Sequence, residues 1–239
     1  MSDLSPTILI TRPAAAAERF VAALRAAGIN TSVIVSPLLQ VVSTAAVPSF
    51  AGFSGVIFTS VNGVEVAPAG DLPAWCVGEA TAAAARAKGW QAISGGGDAE
   101  SLVAKVLEER PQGPLLHLRG QVSRGDVAAR LSKAGIPTRE MIVYDQELRG
   151  LSDQAIDILT RENPVIVPLF SPRTAAQFGE ELAKIKGNAP VFMATMSGAV
   201  AEAAKDVPVT ERIVAAQPDV KAMIDAVLGL MDAVDNVED

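Results

Sequence analysis

Short runs of apolar residues alternate along the chain with longer segments in which apolar residues recur every three or four positions. The run over residues 8–10 is followed by an alanine-rich segment, 13–27, that carries Phe20 and Leu24 on one helical face and ends before Gly28. An uninterrupted apolar run is typical of a buried strand, and a periodic segment closed by glycine is typical of a helix. The first 28 residues therefore predict one strand–helix unit.

This unit occurs twice. Residues 115–119 repeat the strand pattern, 127–134 repeat the helix, and the spacing from Arg12 to Gly28 equals the spacing from Arg119 to Gly135. Three further pairs of segments repeat in the same way, and in one pair each strand ends in a serine that could cap the next helix. These pairs are residues 33–35 with 142–144, 56–60 with 167–171, and 75–82 with 194–201. Strands that alternate with helices predict parallel sheets with right-handed crossovers, so two copies predict two such domains.

The order of the repeats predicts that the first domain is discontinuous. The first unit precedes a complete domain-sized stretch, and the last third of the chain lacks an opening unit of its own. We therefore expect an α/β fold of two flavodoxin-like parallel-sheet domains joined by two linkers. Residues 1–36 plus 148–239 would form domain 1, residues 40–144 would form the inserted domain 2, and residues 37–39 and 145–147 would be extended linkers that act as a hinge.

Ligands of open α/β sheets bind beyond the carboxyl ends of the strands. We expect the working site at these loops, in the cleft between the two domains. The alternative interpretation is structural: solvated surface arginines and serines that only cap helices, although capping and anion binding use the same geometry. The candidate binding residues are Arg12, Thr59, Ser60, Asn62, Gly78, Thr81, Arg119, Gly120, Arg124, Ser171, Pro172, Arg173 and Ser197.

Three conspicuous features have a structural interpretation. His117 aligns with Ile10 in mid-strand, which favours a buried structural imidazole over a general base. Cys76 lies inside an apolar strand with no matched histidine, which favours a core position over a nucleophile. Residues 94–98 are glycine-rich but lack the Gly-Lys-Ser/Thr ending of a P-loop, so they predict a loop before a helix that starts near Ala99.

Composition narrows the classes of function. Of the 239 residues, 49% are hydrophobic and 20% are charged, as in globular proteins. A single cysteine and a single histidine leave no intramolecular disulfide and no Cys/His set for zinc. The net charge of −7, with an acidic stretch over 232–239, argues against a nucleic-acid partner. No apolar run approaches the roughly 18 residues of a membrane span, and the start of the chain lacks an export signal, so we expect a cytoplasmic protein.

Seven segments spread over nearly the whole chain carry a resemblance to a known family. They are residues 8–13, 57–63, 77–82, 97–102, 120–124, 135–144 and 170–173. Together they resemble uroporphyrinogen-III synthase. The resemblance implies an enzyme, a lyase that cyclises hydroxymethylbilane to uroporphyrinogen III with inversion of ring D and loss of water, in tetrapyrrole biosynthesis. It also implies that no cofactor or metal is used and that the partner is this small molecule; we expect a monomer.

The same resemblance suggests roles for individual residues. In the family's reaction the hydroxyl leaves to give an azafulvene, attack at the substituted carbon gives a spiro intermediate, and the ring then reopens and closes. Tyr144 matches the family's tyrosine and would assist departure of the hydroxyl; packing in the hinge is its alternative role. Thr81 matches the threonine of a Gly-x-x-Thr turn. In the second copy Ser197 replaces the glycine, and residues 199–200 replace the threonines.

Two other classes share parts of this pattern. A non-catalytic two-lobed cytosolic protein that binds an anionic small molecule would have the same hinge and cleft. A flavodoxin-like electron carrier would need aromatic residues around a flavin, and aromatic residues make up only 4% of the chain.

Overall fold

The computed structural model describes residues 5–123 and 125–237, which divide into two compact units. Unit 1 comprises the described residues up to 40 and those from 148 onward, and unit 2 comprises 41–147. Each unit consists of one sheet with helices packed on both faces. The mixed α/β architecture agrees with the fold class that the alternating pattern predicts.

Unit 1 is built on parallel strand pairs. Its strands are β1 (Thr7–Ile10), β2 (Val33–Val35), β9 (Val165–Leu169), β10 (Val191–Thr195) and β11 (Glu211–Val214), and its helices are α1 (Ala14–Ala26), α6 (Asp153–Thr160), α7 (Pro172–Leu182), α8 (Gly198–Ala203) and α9 (Val220–Val237). The strands lie in the order β11-β10-β9-β1-β2. Counted within the unit, this is the flavodoxin-like order 2-1-3-4-5.

Five strands of unit 2 have the same spatial order as the strands of unit 1, but they occur in a different order along the chain. Its strands are β3 (Leu39–Ser43), β4 (Gly55–Phe58), β5 (Pro73–Cys76), β6 (Gln91–Ser94), β7 (Leu115–Gly120) and β8 (Thr138–Leu148), and its helices are α2 (Val61–Val66), α3 (Glu79–Ala87), α4 (Ala99–Glu109) and α5 (Val127–Lys133). The sheet order is β3-β8-β7-β4-β5-β6. Strands β8-β7-β4-β5-β6 correspond to β2-β1-β9-β10-β11 of unit 1. The sequence repeats predict the first four of these matches, and the match of β6 with β11 comes from the structure.

Each sheet separates two apolar layers. In unit 1, Leu9 packs on one face, whereas its neighbours Ile8 and Ile10 pack on the other. In unit 2, Phe58 and Ile57 divide between the faces in the same way. Because both faces are covered, nearly every position of a central strand is buried, which explains why these strands have continuous apolar sequences.

Short polar signals set the helix ends. Gly28 and Gly135 follow α1 and α5 with φ of +84° and +91°, a backbone conformation that favours glycine. Ser60 and Ser171 cap α2 and α7 through backbone N–H groups, as expected from the sequence. Asp98 caps α4, which starts at Ala99 as predicted, because its carboxylate accepts a hydrogen bond from the Ser101 N–H at 2.8 Å.

The two segments expected to be extended linkers lie partly or wholly in regular strands: residues 37 and 38 are outside any strand, whereas residue 39 and residues 145–147 are strand. Leu39 is the first residue of β3, and residues 145–147 lie in the last part of the eleven-residue strand β8. The change between units falls after residue 40 and after residue 147. Both crossings are therefore hydrogen-bonded strand rather than separate loops.

Candidate active site

Most of the candidate residues lie beside the switch point of each sheet, where strand order reverses, and Gly78, Thr81 and Ser197 follow the next strand along. In unit 1 this point lies between β1 and β9, and in unit 2 between β7 and β4. Loops that leave the carboxyl ends of such neighbouring strands in opposite directions open a crevice, which is where ligands of this fold class bind. Two separate polar sets result, one in each unit.

In unit 1, Arg12 leaves the end of β1 and lies over an aromatic ring. Its guanidinium carbon is 3.9 Å from the centroid of the Phe170 ring, which in turn meets Phe20 edge-on at 4.9 Å. Partial burial, with a further contribution from the charge of Arg19, lowers the pKa of Arg12 below its usual value. A cation stacked in this way is held in one orientation and can still present its N–H edge to an anion.

Helix α7 begins beside Arg12 at the neighbouring strand end. Ser171 accepts a hydrogen bond from the Thr174 N–H at 3.2 Å, and its hydroxyl lies 2.8 Å from that of Thr174. Pro172 and Arg173 follow as exposed residues of the first helical turn. Ser197 precedes α8 but forms no side-chain cap. Arg12, Ser171, Pro172 and Arg173 thus share the switch-point edge, and Ser197 lies one strand further along it.

In unit 2, the loop after β4 carries three of the candidates. The Asn62 N–H donates to the Ser60 hydroxyl at 3.1 Å, which fixes the turn into α2. The Thr59 hydroxyl lies 3.0 Å from Nε2 of His117, on the adjacent strand β7. This contact orients the half-buried side chain of Thr59.

Tyr144 occupies a slot between two glycines of the same edge. It is paired with Gly120 across β7 and β8, at a bulge, and only 6% of it is exposed. A Cβ placed on Gly120 would lie 2.6 Å from Cε2 of the tyrosine, and one on Gly63 would lie 3.7 Å from Cε1. The space for the phenol ring therefore depends on the missing side chain of Gly120, whereas a side-chain carbon on Gly63 would be in ordinary contact with the ring.

The remaining unit 2 candidates differ in accessibility. Gly78 precedes α3 with no side chain to cap that helix, and Thr81 in the first turn is 5% exposed. The guanidinium group of Arg119 already has three hydrogen-bond acceptors within unit 2. It donates to the carbonyl groups of Gly120 and Gln121 and to Oε2 of Glu140. These bonds favour a structural role over the predicted contact with substrate.

The buried positions expected for His117 and Cys76 are confirmed, since neither is exposed. Burial lowers the pKa of His117 to about 4; the charge of Glu140 opposes this effect and that of Arg119 adds to it. Burial also raises the pKa of the Cys76 thiol to about 12. At neutral pH the imidazole is therefore uncharged and the thiol is protonated. Arg124 was also a predicted binding residue; it lies outside the described residues.

Two side-chain contacts were not predicted from the sequence. The pairing of Thr59 with His117 depends on β4 and β7 being neighbours with Ile57 opposite His117, and the stacking of Arg12 on Phe170 depends on β1 lying beside β9. All four residues lie in segments that the sequence repeats identify. Prediction of the two contacts would also have needed the order of the strands in each sheet, which the repeats alone do not specify.

Cavities of about 710 and 760 Å³ lie elsewhere. The first is lined by Pro73 and Gln91, the opening residues of β5 and β6, and the second by Val191, the opening residue of β10. Both are therefore at the amino edges of the sheets, away from the switch-point loops. Within residues 5–123 and 125–237, no helix is both long and apolar enough to cross a membrane, and no three His, Cys, Asp or Glu residues are grouped as metal ligands.

Two flavodoxin-like sheets with polar switch-point loops, one inserted into the other in sequence, define a two-unit α/β protein. The family model described as uroporphyrinogen-III synthase HemD matches residues 18–225. The chain belongs to the uroporphyrinogen-III synthase family, which confirms the resemblance read from its motifs. It is therefore an enzyme of tetrapyrrole biosynthesis, a cyclising lyase.

Individual relatives agree with this assignment. The chain is 27% identical over 194 residues to uroporphyrinogen-III synthase from Chlorobaculum parvum, a match that covers 74% of this chain and 79% of the relative. The crystal structure of uroporphyrinogen-III synthetase from Helicobacter pylori superposes with a TM-score of 0.64 at 16% identity, over 94% of this chain and 99% of that one. The structural match supports the fold, and no comparison supports the non-catalytic alternative.

Proposed function

We propose that this chain closes hydroxymethylbilane to uroporphyrinogen III, with inversion of ring D and loss of water, and that the two switch-point edges bind this substrate. The observation that carries the proposal is the family match over residues 18–225. The same bilane closes without inversion in the absence of an enzyme, so the protein must favour attack at the crowded carbon by holding the terminal rings.

The substrate's eight carboxylates need local cations and N–H donors, because the chain as a whole carries a net charge of −7. Arg12 and Arg173 supply positive charge at the edge of unit 1, where Ser171 and Ser197 add hydroxyl groups and Pro172 opens the first turn of α7. Helices α3 and α7 begin at the carboxyl ends of β5 and β9, and helix N-termini favour anions. Several such contacts together would fix the orientation of the bilane.

In unit 2 we assign binding to Thr59, Ser60, Asn62, Gly78 and Thr81, and we place Gly120 beside them as the wall of the tyrosine slot. Tyr144 is the proposed catalytic residue. Its phenol would transfer its proton to the departing hydroxyl, so that the carbon–oxygen bond breaks with its electrons on oxygen and the oxygen leaves as water. The phenolate would regain a proton when the closed product loses one from carbon and its pyrrole ring becomes aromatic again. The close packing of the ring against Gly120 supports this role, because it leaves no space for a side chain between the phenol and the end of β7.

Product analysis tests the proposal directly. Enzymatically generated hydroxymethylbilane would be supplied to the purified chain, the products oxidised, and isomers I and III separated. We expect isomer III to dominate, with the same result in the presence of a chelator, and isomer I alone in the control without protein. Isomer I alone in the presence of the chain would overturn the proposal. We further propose that the enzyme acts as a cytoplasmic monomer, which light scattering of the purified protein would check.

A further inference from the structure

A polar row crosses three strands on one face of the unit 2 sheet. Thr59 follows β4, His117 lies in β7 and Glu140 lies in β8. The register pairs Ile57 with His117 and His117 with Glu140, so Thr59, two residues beyond Ile57, projects from the same face. A hydroxyl, an imidazole and a carboxylate thus lie side by side across the three neighbouring strands.

The distances show which contacts are hydrogen bonds. Oγ1 of Thr59 lies 3.0 Å from Nε2 of His117, well within hydrogen-bonding range. Nδ1 of His117 lies 3.5 Å from Oε1 of Glu140, too long for a good hydrogen bond but close for a charge. Within the part of the chain that the structure describes, Nδ1 is buried without a hydrogen-bond partner.

The carboxylate determines which ring nitrogen carries the proton. Arg119 holds Glu140 in place through Oε2 at 2.9 Å. A lone pair on Nδ1 would face the carboxylate and be repelled by it, whereas an N–H there would be attracted. Since burial keeps the imidazole neutral, with a pKa of about 4, the favoured tautomer has its proton on Nδ1. Nε2 must then accept the hydrogen bond from the Thr59 hydroxyl.

We infer that Thr59 acts as a hydrogen-bond acceptor toward an N–H group of the substrate, with His117 and Glu140 as positioning residues that set this direction. A hydroxyl whose proton is committed to Nε2 presents only lone pairs to the site. It would therefore select a pyrrole N–H and disfavour a carboxylate. This inference rests on the proposed function, because it takes the bilane as the ligand.

The direction of this bond matters for the reaction. When the hydroxyl leaves, the electron pair of the pyrrole nitrogen moves into the ring, and a double bond forms between the ring and the carbon that carried the hydroxyl. Positive charge then develops on that nitrogen and its hydrogen. An oxygen that accepts from this N–H stabilises the charge as it forms, without taking the proton. Such an interaction is stronger in the transition state than in the ground state, so its loss should lower kcat more than it raises KM.

The chain allows the tautomer to be observed without an activity assay. His117 is its only histidine, so protein prepared with ¹⁵N-labelled histidine gives one pair of ring nitrogen resonances. We expect a protonated Nδ1 and an unprotonated Nε2 at pH 7.5. In the Glu140→Gln variant the side-chain amide can donate to Nδ1, and we expect the proton to move to Nε2. The proton on Nε2 in the native protein would overturn the inference.

Kinetic variants test the role in the reaction. Thr59→Val keeps the shape of the side chain and removes the hydroxyl, and we expect kcat to fall by roughly 10-fold, or about 1.4 kcal/mol. Thr59→Ser should keep most of the activity. His117→Leu should lower kcat as much as Thr59→Val does, and His117→Gln, which retains an acceptor near the position of Nε2, should restore part of it. Glu140→Gln should lower kcat with a smaller change in KM.

Two comparisons separate this positioning role from a purely structural one. If His117 acts through Thr59, the double variant Thr59→Val/His117→Leu should be no slower than either single variant, whereas additive losses would contradict the inference. Both tryptophans, Trp75 and Trp90, lie in unit 2, so tryptophan fluorescence during unfolding checks that each variant retains this unit. If the native protein forms isomer III and the Thr59→Val variant is equally active, this inference alone is overturned. Absence of isomer III from the native protein would overturn the proposed function instead, and the nitrogen resonances would still test the tautomer.

Discussion

The ring of Tyr144 lies directly against the backbone of Gly120. A Cβ on Gly120 would approach Cε2 of the tyrosine to 2.6 Å, Cζ to 2.7 Å and the phenol oxygen to 3.0 Å. Because the ring is also nearly buried, a side chain at position 120 could be accommodated only if the ring moved. The position of the proposed catalytic phenol is thus set by the absence of a side chain on the neighbouring strand.

Gly120→Ala should therefore displace the tyrosine ring. We expect turnover to fall at least as far as in a variant that lacks the phenol, and unit 2 to lose about 1–3 kcal/mol of stability through overpacking. Tryptophan fluorescence in urea measures the stability, and the ring resonances of the single tyrosine measure its displacement. In the double variant Gly120→Ala/Tyr144→Ala the clash is absent, so the two stability losses should not add. Additive losses would mean that the two residues do not interact.

Tyr144→Phe removes only the phenol oxygen. If that oxygen assists departure of the hydroxyl, turnover should fall by roughly 10-fold to 100-fold, or about 1.4 to 2.7 kcal/mol, with folding intact. The effect is modest because a hydroxyl attached through carbon to an electron-rich pyrrole already leaves readily. Isomer III should remain the product, since positioning of the rings is unchanged. Turnover equal to that of the native protein would leave Tyr144 a purely structural residue.

Arg12→Met should weaken binding of the substrate while leaving the chemical step nearly intact. Methionine retains much of the packing over Phe170 and removes the charge that would meet a carboxylate. We expect KM to rise by roughly 10-fold and kcat to change by less than about 3-fold, because a carboxylate contact is equally strong before and during reaction. Arg161→Met is a matched control, since it makes the same change of charge at an exposed ion pair on α6. An equal rise in KM in both variants would indicate a general charge effect.

The sequence predicted the parts of the fold that depend on local pattern. Continuous apolar strands, the paired glycines Gly28 and Gly135, and the capping residues Ser60 and Ser171 all have local signals, and the structure confirms them. The repeat also matched β1 with β7 correctly. The extent of β8 was harder, because its last residues are polar and resemble a linker although they are part of the strand.

The candidate site was predictable only as a set of loops. Sequence reasoning placed Arg12 and Thr59 at strand ends because ligands of open parallel sheets bind at the carboxyl edge, whereas Tyr144 was singled out only by the family resemblance. It could not foresee that Arg119 would bind Glu140 or that Thr59 would meet His117, since both contacts depend on cross-strand register. Neighbours in space that lie tens of residues apart in sequence leave no local signature.

Cys76 should be inert in the native protein. Burial raises the pKa of its thiol to about 12, and the thiolate is the reactive form. A thiol reagent at pH 8 should label no cysteine in the native state and one per chain in urea. Cys76→Ala should cost about 1 kcal/mol of stability and leave turnover within about 2-fold. Rapid labelling of the native protein, or a loss of more than about 100-fold in turnover with unchanged melting, would contradict the core assignment.

The stability of unit 2 should depend on pH through His117. Its pKa is about 4 in the folded protein against an ordinary value of 6.5, chiefly because burial disfavours the charged form. The unfolded chain therefore binds more protons than the folded one between these values, so folding stability rises with pH across this window. The contribution is complete above pH 6.5 and declines as the pH falls toward 4. Between pH 7.5 and pH 5 the loss should be roughly 2 kcal/mol.

The His117→Gln variant isolates this contribution, because glutamine keeps a polar side chain at the position but does not titrate. Urea unfolding followed by fluorescence of Trp75 and Trp90 reports on unit 2 at each pH. Other groups titrate in both proteins, so the informative quantity is the pH-dependent difference between them. We expect the native protein to lose more stability than the variant from pH 7.5 to pH 5, because only the native chain gains a proton on unfolding at this position. Parallel pH profiles would show that the imidazole is protonated as readily in the folded state as in the unfolded one. Glu140 would then compensate for burial more strongly than the 3.5 Å separation from Nδ1 indicates.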